Sequence, residues 1–108
     1  MKRKMEKVMV KEQYSIDELK EIITPIAIKY KVSGVYLFGS FARGENTSHS
    51  DIDLRIDRGE LKGMFALCGF YTEIEEALRM KVDILTTESL DDNFSKVIKK
   101  DEVMLYAG

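Results

Sequence analysis

Cysteine, proline and histidine each occur once in the 108 residues, as Cys68, Pro25 and His49. A single cysteine excludes an intrachain disulfide, and a reducing cytoplasm is the simpler home for such a chain. Nothing in the pattern offers that thiol a base, so nucleophilic cysteine chemistry has little support and Cys68 reads as core. His49 sits in a polar loop and reads as an ordinary polar residue. Long apolar runs are also missing: no 18 consecutive residues are apolar, which argues against a membrane-spanning helix. The basic start Met1-Lys2-Arg3-Lys4 lacks the apolar stretch of a secretory signal. Nor is there a positive surplus. Lys and Arg number 17 against 19 Asp and Glu, a formal net charge of −2. A protein that grips duplex phosphates usually shows the opposite balance, so nucleic acid is not the expected partner. The clusters Lys2-Arg3-Lys4 and Lys96, Lys99, Lys100 read as solvated charge.

What is present is a globular composition, 44% hydrophobic, in a length that suits one domain with one small core. Residues 1–14 form an arm, irregular or a short strand, and residues 15–108 form the domain. Ser15 and Glu18 have capping-box spacing, and Leu19, Ile22, Ile23, Ile26 and Tyr30 then follow a helical face. Pro25 falls inside this helix, where it removes a donor and clashes with the preceding turn, so a bend or a break into two turns is expected. Val35 to Phe38 reads as a strand. Ile52, Leu54 and Ile56 alternate with Asp51, Asp53 and Arg55, a strand with one greasy and one polar face. Leu61, Met64, Phe65, Cys68, Tyr71, Ile74 and Leu78 recur at helical intervals, with Met64 and Cys68 taken as core. Lys81 to Leu85 reads as a further strand, Ser89 as a cap, Leu90 to Lys100 as a weaker helix, and Val103 to Tyr106 as a closing extended segment. The fold class expected is α/β (α+β), a small mixed sheet packed on helices.

The chemistry concentrates between Gly39 and Leu54. Gly39-Ser40-Phe41-Ala42-Arg43-Gly44 reads as a tight turn opening a short helix, which exposes backbone N–H groups and one hydroxyl to an anion. After a polar loop, in which Ser50 is placed to brace the strand that follows, Asp51 and Asp53 share one strand face. Paired carboxylates repel unless protons or cations intervene, and Mg²⁺ favours carboxylate oxygens together with substrate phosphates. Asp83 lies on an apolar strand, where an isolated carboxylate is expensive. If its strand neighbours that of Asp51 and Asp53, the three converge on one cleft. Such a triad suits two Mg²⁺ ions about 3.5–4 Å apart. Arg43, with five donors and a permanent charge, suits a triphosphate, or else bridges Glu45 or Asp51 structurally. The lysine and hydroxyl residue of a P-loop are absent, as is a dinucleotide-binding glycine fingerprint.

The string from Gly39 to Leu54, GSFARGENTSHSDIDL, resembles the signature of the minimal nucleotidyltransferases of the DNA polymerase beta-like superfamily, in its short prokaryotic form. The likeness extends from about Ile16 to near the C-terminus. It implies Asp51, Asp53 and Asp83 as catalytic and metal-binding residues, Gly39, Ser40 and Arg43 as nucleotide-binding residues, Mg²⁺ as cofactor and ATP as donor. Larger relatives add domains for their second substrate, and little of this chain remains for one. The short members are commonly paired with a small helical toxin of the HEPN type. The resemblance therefore implies an antitoxin that transfers AMP from ATP to a hydroxyl, a tyrosine's, on that partner. Two other readings stay open at this stage: a non-catalytic module that neutralises a partner by binding, and a nucleotidyltransferase acting on RNA or a small molecule. Self-association is compatible with so small a core.

Overall fold

The computed structural model describes residues 14–45 and 51–108. The readings of residues 1–13, His49 and Ser50 therefore lie outside the described residues. Helix α1 spans Ile16–Tyr30 and begins with a complete capping box: Glu18 N–H donates to Ser15 Oγ at 3.1 Å and Ser15 N–H to Glu18 Oε1 at 2.9 Å. The break expected at Pro25 does not occur, and the helix runs through it as one element. Pro25 and Glu21 are both exposed, so the carbonyl that the ring leaves without its helical donor turns to water.

Strand β1 (Gly34–Phe38) leads into the four-residue helix α2 (Ser40–Arg43), and β2 covers Ile52–Asp57. Helix α3 (Met64–Leu78), β3 (Val82–Thr86), a 3-10 turn (Thr87–Ser89), α4 (Asp92–Lys99) and β4 (Val103–Ala107) complete the chain. The sheet order is β3-β2-β1-β4, with β1 antiparallel to β2 and β4, and β2 parallel to β3. The cap of α4 is Asp91, whose carboxylate accepts from Phe94 N–H at 2.7 Å. Ser89 instead donates its hydroxyl to Thr86 C=O within the preceding turn. Ser89 is thus not the cap, because the 3-10 turn intervenes before the helix starts.

One core holds these elements together. Leu19, Ile23 and Ala27 of α1 and Phe70, Ile74 and Leu78 of α3 pack on Val35, Leu37, Ile52, Leu54 and Ile56 of the sheet. The inward stripe of α3 differs from the expected one. Ile74 and Leu78 are buried, but Met64 is 72% exposed, Phe65 is 96% exposed and Cys68 is exposed. Met64 and Cys68 are therefore surface residues. Helix α3 carries two apolar stripes of the same period, and α1 and the sheet cover the one through Phe70.

The other face of the sheet is polar and holds a buried cation. Arg55 of β2, its side chain 7% exposed, reaches across Tyr36 of β1 to Glu102, just before β4. Its Nε and Nη2 donate to the two Glu102 carboxylate oxygens at 2.6 and 2.8 Å, and Nη1 donates to Thr87 Oγ1 at 2.6 Å. The guanidinium also stacks 4.1 Å from the Tyr36 ring. A paired, stacked arginine of this kind is costly to break, because Glu102 would remain buried and uncompensated. Arg55→Ala is expected to lower the unfolding free energy by about 3–5 kcal/mol. Arg55→Lys should recover only part of this, lacking the two-pronged contact. Urea unfolding of the three proteins measures both differences.

Candidate active site

Gly39 follows β1 directly and adopts φ 78°, ψ −156°, a conformation reserved in practice for glycine. The chain then turns into α2, which ends at Gly44 with φ 74°. The register explains what lies beside this turn. Phe38 pairs with Asp53 across β1 and β2, and Asp53 pairs with Asp83 across β2 and β3. Directly paired residues project to the same face of a sheet, so Asp53 and Asp83 stand side by side on the face opposite the core. Asp51, two residues before Asp53 and just ahead of β2, completes the acidic group. A Cβ on Gly39 would come within 2.4 Å of Asp53 Oδ2, so the turn is in contact with the central carboxylate. Glycine at this position serves both the backbone angle and the close approach.

Burial raises the pKa of Asp53 to about 6, assisted by the negative charges of Asp83 and Asp51 and opposed by Arg43. The Tyr71 hydroxyl on α3 is likewise kept protonated, first by burial and then by Asp83, Glu75 and Asp51. Glu75 accepts from Val82 N–H at 3.2 Å, which fixes the start of β3 next to Asp83. Arg43 lies at the end of α2, 42% exposed, and its Nε donates to Glu45 Oε1 at 2.9 Å. The bridge to Glu45 weighed above is therefore present, while the Arg43 charge also reaches Asp53 and Asp101.

Among the described residues no three His, Cys, Asp or Glu close into a finished metal cage. Asp51 and Asp83 are nonetheless near enough to disfavour the charge of Asp53, and all three offer oxygen. An open, oxygen-only set of this kind fits a hard divalent cation that takes its remaining ligands from water and phosphate. Two clefts lie near the acids. One, of about 420 Å³, is lined by Met64, Leu67, Cys68, Tyr71, Thr72 and Ile84, of which Tyr71 feels the charges of Asp83 and Asp51. The other adjoins Gly39 and Arg43. Tyr71 was assigned from the sequence to a core stripe, and no local signal marks it as a neighbour of the acidic group.

The family model for polymerase beta nucleotidyltransferases matches residues 20–108. The chain belongs to this family. A Methanocaldococcus jannaschii protein provisionally named a protein adenylyltransferase is 41% identical over 76 residues, covering 70% of this chain and 82% of its own. The nucleotidyltransferase also shares its fold with a toxin–antitoxin crystal structure containing AMP-PNP, at TM-score 0.70 and 21% identity, over 82% of this chain and 73% of that one. An MNT antitoxin in complex with tri-AMPylated HEPN toxin from Shewanella oneidensis aligns at TM-score 0.65 and 18% identity, over 86% and 73% of the two chains. The mixed sheet on helices expected for the family is the fold observed. Among the described residues no helix is long and apolar enough to cross a membrane.

Asp53 gives the site a pH signature in the absence of metal. Its pKa rises from 3.8 in the unfolded reference to about 6 in the folded chain. Between these values the folded state holds a proton that the unfolded state has lost, so stability falls as pH rises through the window. Asp53→Asn is expected to stabilise the metal-free protein at pH 7 by on the order of 1 kcal/mol, allowing for solvent screening, and not at pH 3.5. Urea unfolding with chelator at the two pH values measures this. Gly39→Ala should cost about 1–3 kcal/mol through backbone strain and should also displace the Asp53 carboxylate. The same unfolding experiment, with the Asp53 carboxyl resonance followed through its titration, reports both effects.

Proposed function

We propose that this nucleotidyltransferase is a Mg²⁺-dependent protein adenylyltransferase that moves AMP from ATP to a tyrosine hydroxyl of a HEPN-type toxin, and so acts as an antitoxin. The observation that carries this reading is the register pairing of Asp53 with Asp83 beside the Gly39 turn, in a chain with a 41% identical relative of that name. The solved relatives with AMP-PNP and with an AMPylated HEPN toxin supply the donor and acceptor classes. Residues 15–108 are the catalytic domain in this reading.

Asp51, Asp53 and Asp83 would hold Mg²⁺, two ions in the fuller version. The metal neutralises phosphate charge and makes an acceptor hydroxyl more acidic when it is bound. The chain's own groups perform the remaining work. Gly39 leaves room for a phosphate against the backbone, and Ser40 offers its hydroxyl and N–H to the terminal phosphates. Arg43 exchanges Glu45 for the triphosphate and then for departing pyrophosphate, since a guanidinium pairs with either. Asp83, on the outer strand, orients the acceptor hydroxyl and receives its proton. The hydroxyl oxygen bonds to the α-phosphorus as the α–β bridging bond breaks, and pyrophosphate leaves. The apolar cleft beside Asp83 supports a protein acceptor, because it offers an aromatic side chain a greasy approach to the acids.

Incubation with ATP labelled at the α-phosphate and a purified HEPN-type partner tests the reading. The intact protein is expected to label the partner, and Asp51→Asn/Asp53→Asn to reduce labelling by at least about a thousandfold, the scale of removing a principal source of transition-state charge stabilisation. Label on RNA instead of protein would replace the acceptor assignment. Toxin neutralisation that persists undiminished in the double variant would replace catalysis with binding.

A further inference from the structure

The five tyrosines of the chain differ in what their rings and hydroxyls do. Tyr14 donates to Leu78 C=O at 2.6 Å and Tyr30 to Glu73 Oε1 at 3.0 Å. Tyr36 lies under the Arg55 guanidinium, and Tyr106 sits on β4, at the sheet edge away from β3. Tyr71 is the exception. It is half-buried in the wall of the 420 Å³ cleft, and among the described residues its hydroxyl has no hydrogen-bond partner. Glu75, one helical turn further along α3, shares its face and accepts from Val82 N–H at 3.2 Å. That bond draws the Tyr71 face of the helix against the start of β3, where Asp83 follows Val82. Besides burial, the charges of Asp83, Glu75 and Asp51 act on the Tyr71 hydroxyl. An unpartnered phenol therefore stands in the cleft and within the field of the acids.

We infer that Tyr71 is an acceptor within the chain itself, to which the free protein transfers AMP from ATP. The inference rests on the transferase reading given above and adds a second acceptor to it. Chemical identity is the first argument, because Tyr71 offers the same phenolic hydroxyl that the reading assigns to the partner. Tethering is the second. A hydroxyl carried on the same chain as the donor site needs no encounter, which raises its effective concentration far above that of a diffusing one. Position is the third, since Tyr71 lines the cleft proposed for the incoming acceptor. A bound partner takes that space, so self-transfer is the fate of ATP in chains without one. In the step itself the Tyr71 oxygen bonds to the α-phosphorus. The bond from that phosphorus to the α–β bridging oxygen breaks, and pyrophosphate leaves with the electron pair. The phenolic proton passes to the Asp83 carboxylate, as the partner's does, and the product is an AMP ester of Tyr71.

Incubation of the full chain with MgATP alone, followed by intact-mass measurement and peptide mapping, tests the assignment. The AMP adduct is expected on Tyr71, at a rate per chain that does not depend on protein concentration. Tyr71→Phe should lose the adduct while still binding MgATP in calorimetry. Asp51→Asn/Asp53→Asn should reduce it by at least about a thousandfold, as for transfer to the partner. The position mapped in the wild-type chain decides the matter even where a variant fails to fold. An adduct on another residue, or one that persists in Tyr71→Phe, overturns the inference. So does a rate per chain that rises in proportion to protein concentration, which marks transfer between copies. A preparation that labels a HEPN-type partner but not itself also overturns it, and leaves the transferase reading intact. Protein that labels neither overturns that reading and this inference together.

Discussion

Carboxylates paired across adjacent strands are expensive to ionise, and here the sheet offers them no means of moving apart. Asp53 is fixed from one side by its register with Asp83 and from the other by contact with the Gly39 turn. The penalty appears as a proton retained to about pH 6, with burial the larger cause and like charge the next. A group that holds its proton so tightly in the free protein gains most from a cation. The apposition is therefore unfavourable for the fold, a common sign of a site shaped for ligand rather than for stability.

The rest of the structure supplies the rigidity that keeps this arrangement from relaxing. The core face of β2 is sealed by α1 and α3, so the strand cannot rotate to turn Asp53 away without exposing Ile52, Leu54 and Ile56. On the site face, Arg55 lies two residues from Asp53 and ties β2 to Glu102 just before β4, across Tyr36. The cation is bound to its own partners and does not neutralise the three aspartates. Positive charge near Asp53 comes from Arg43 instead, held by an exposed pairing with Glu45. Exposed pairs of this type are weak, so Arg43 is free to exchange partners at little cost.

How much of this was legible in the sequence follows from how local each feature is. The Gly39 turn and the Asp51–Asp53 strand are short-range patterns, and both elements form where the residues say. Asp83 was legible because a carboxylate on an apolar strand needs a reason. Its pairing with Asp53 depends on a parallel register that only the fold supplies. The errors share one cause. Met64 and Cys68 have the spacing of an inward stripe, but Phe70 lies on a second stripe of equal period, and the position of α1 decided between them. Pro25 likewise had the chemistry of a helix breaker, and its exposed position made the lost bond tolerable. Arg55 reads only as one residue of a polar strand face, and its burial was not legible because its partner Glu102 lies 47 residues away.

The two clefts extend the same logic from the acids to the substrates. Apolar surface left uncovered in a chain this small is costly unless something occupies it. Here it is divided between the β3 edge, with Met64 and Phe65 exposed beside the Asp83 cleft, and the β1 side, with Phe94 and Val97 exposed beside Gly39. A transfer between two molecules needs two such surfaces, whereas a module that only bound a partner would need one. Separate greasy surfaces at the β3 edge and on the β1 side thus suit a transfer reaction better than simple capture, independently of the glycine–serine motif.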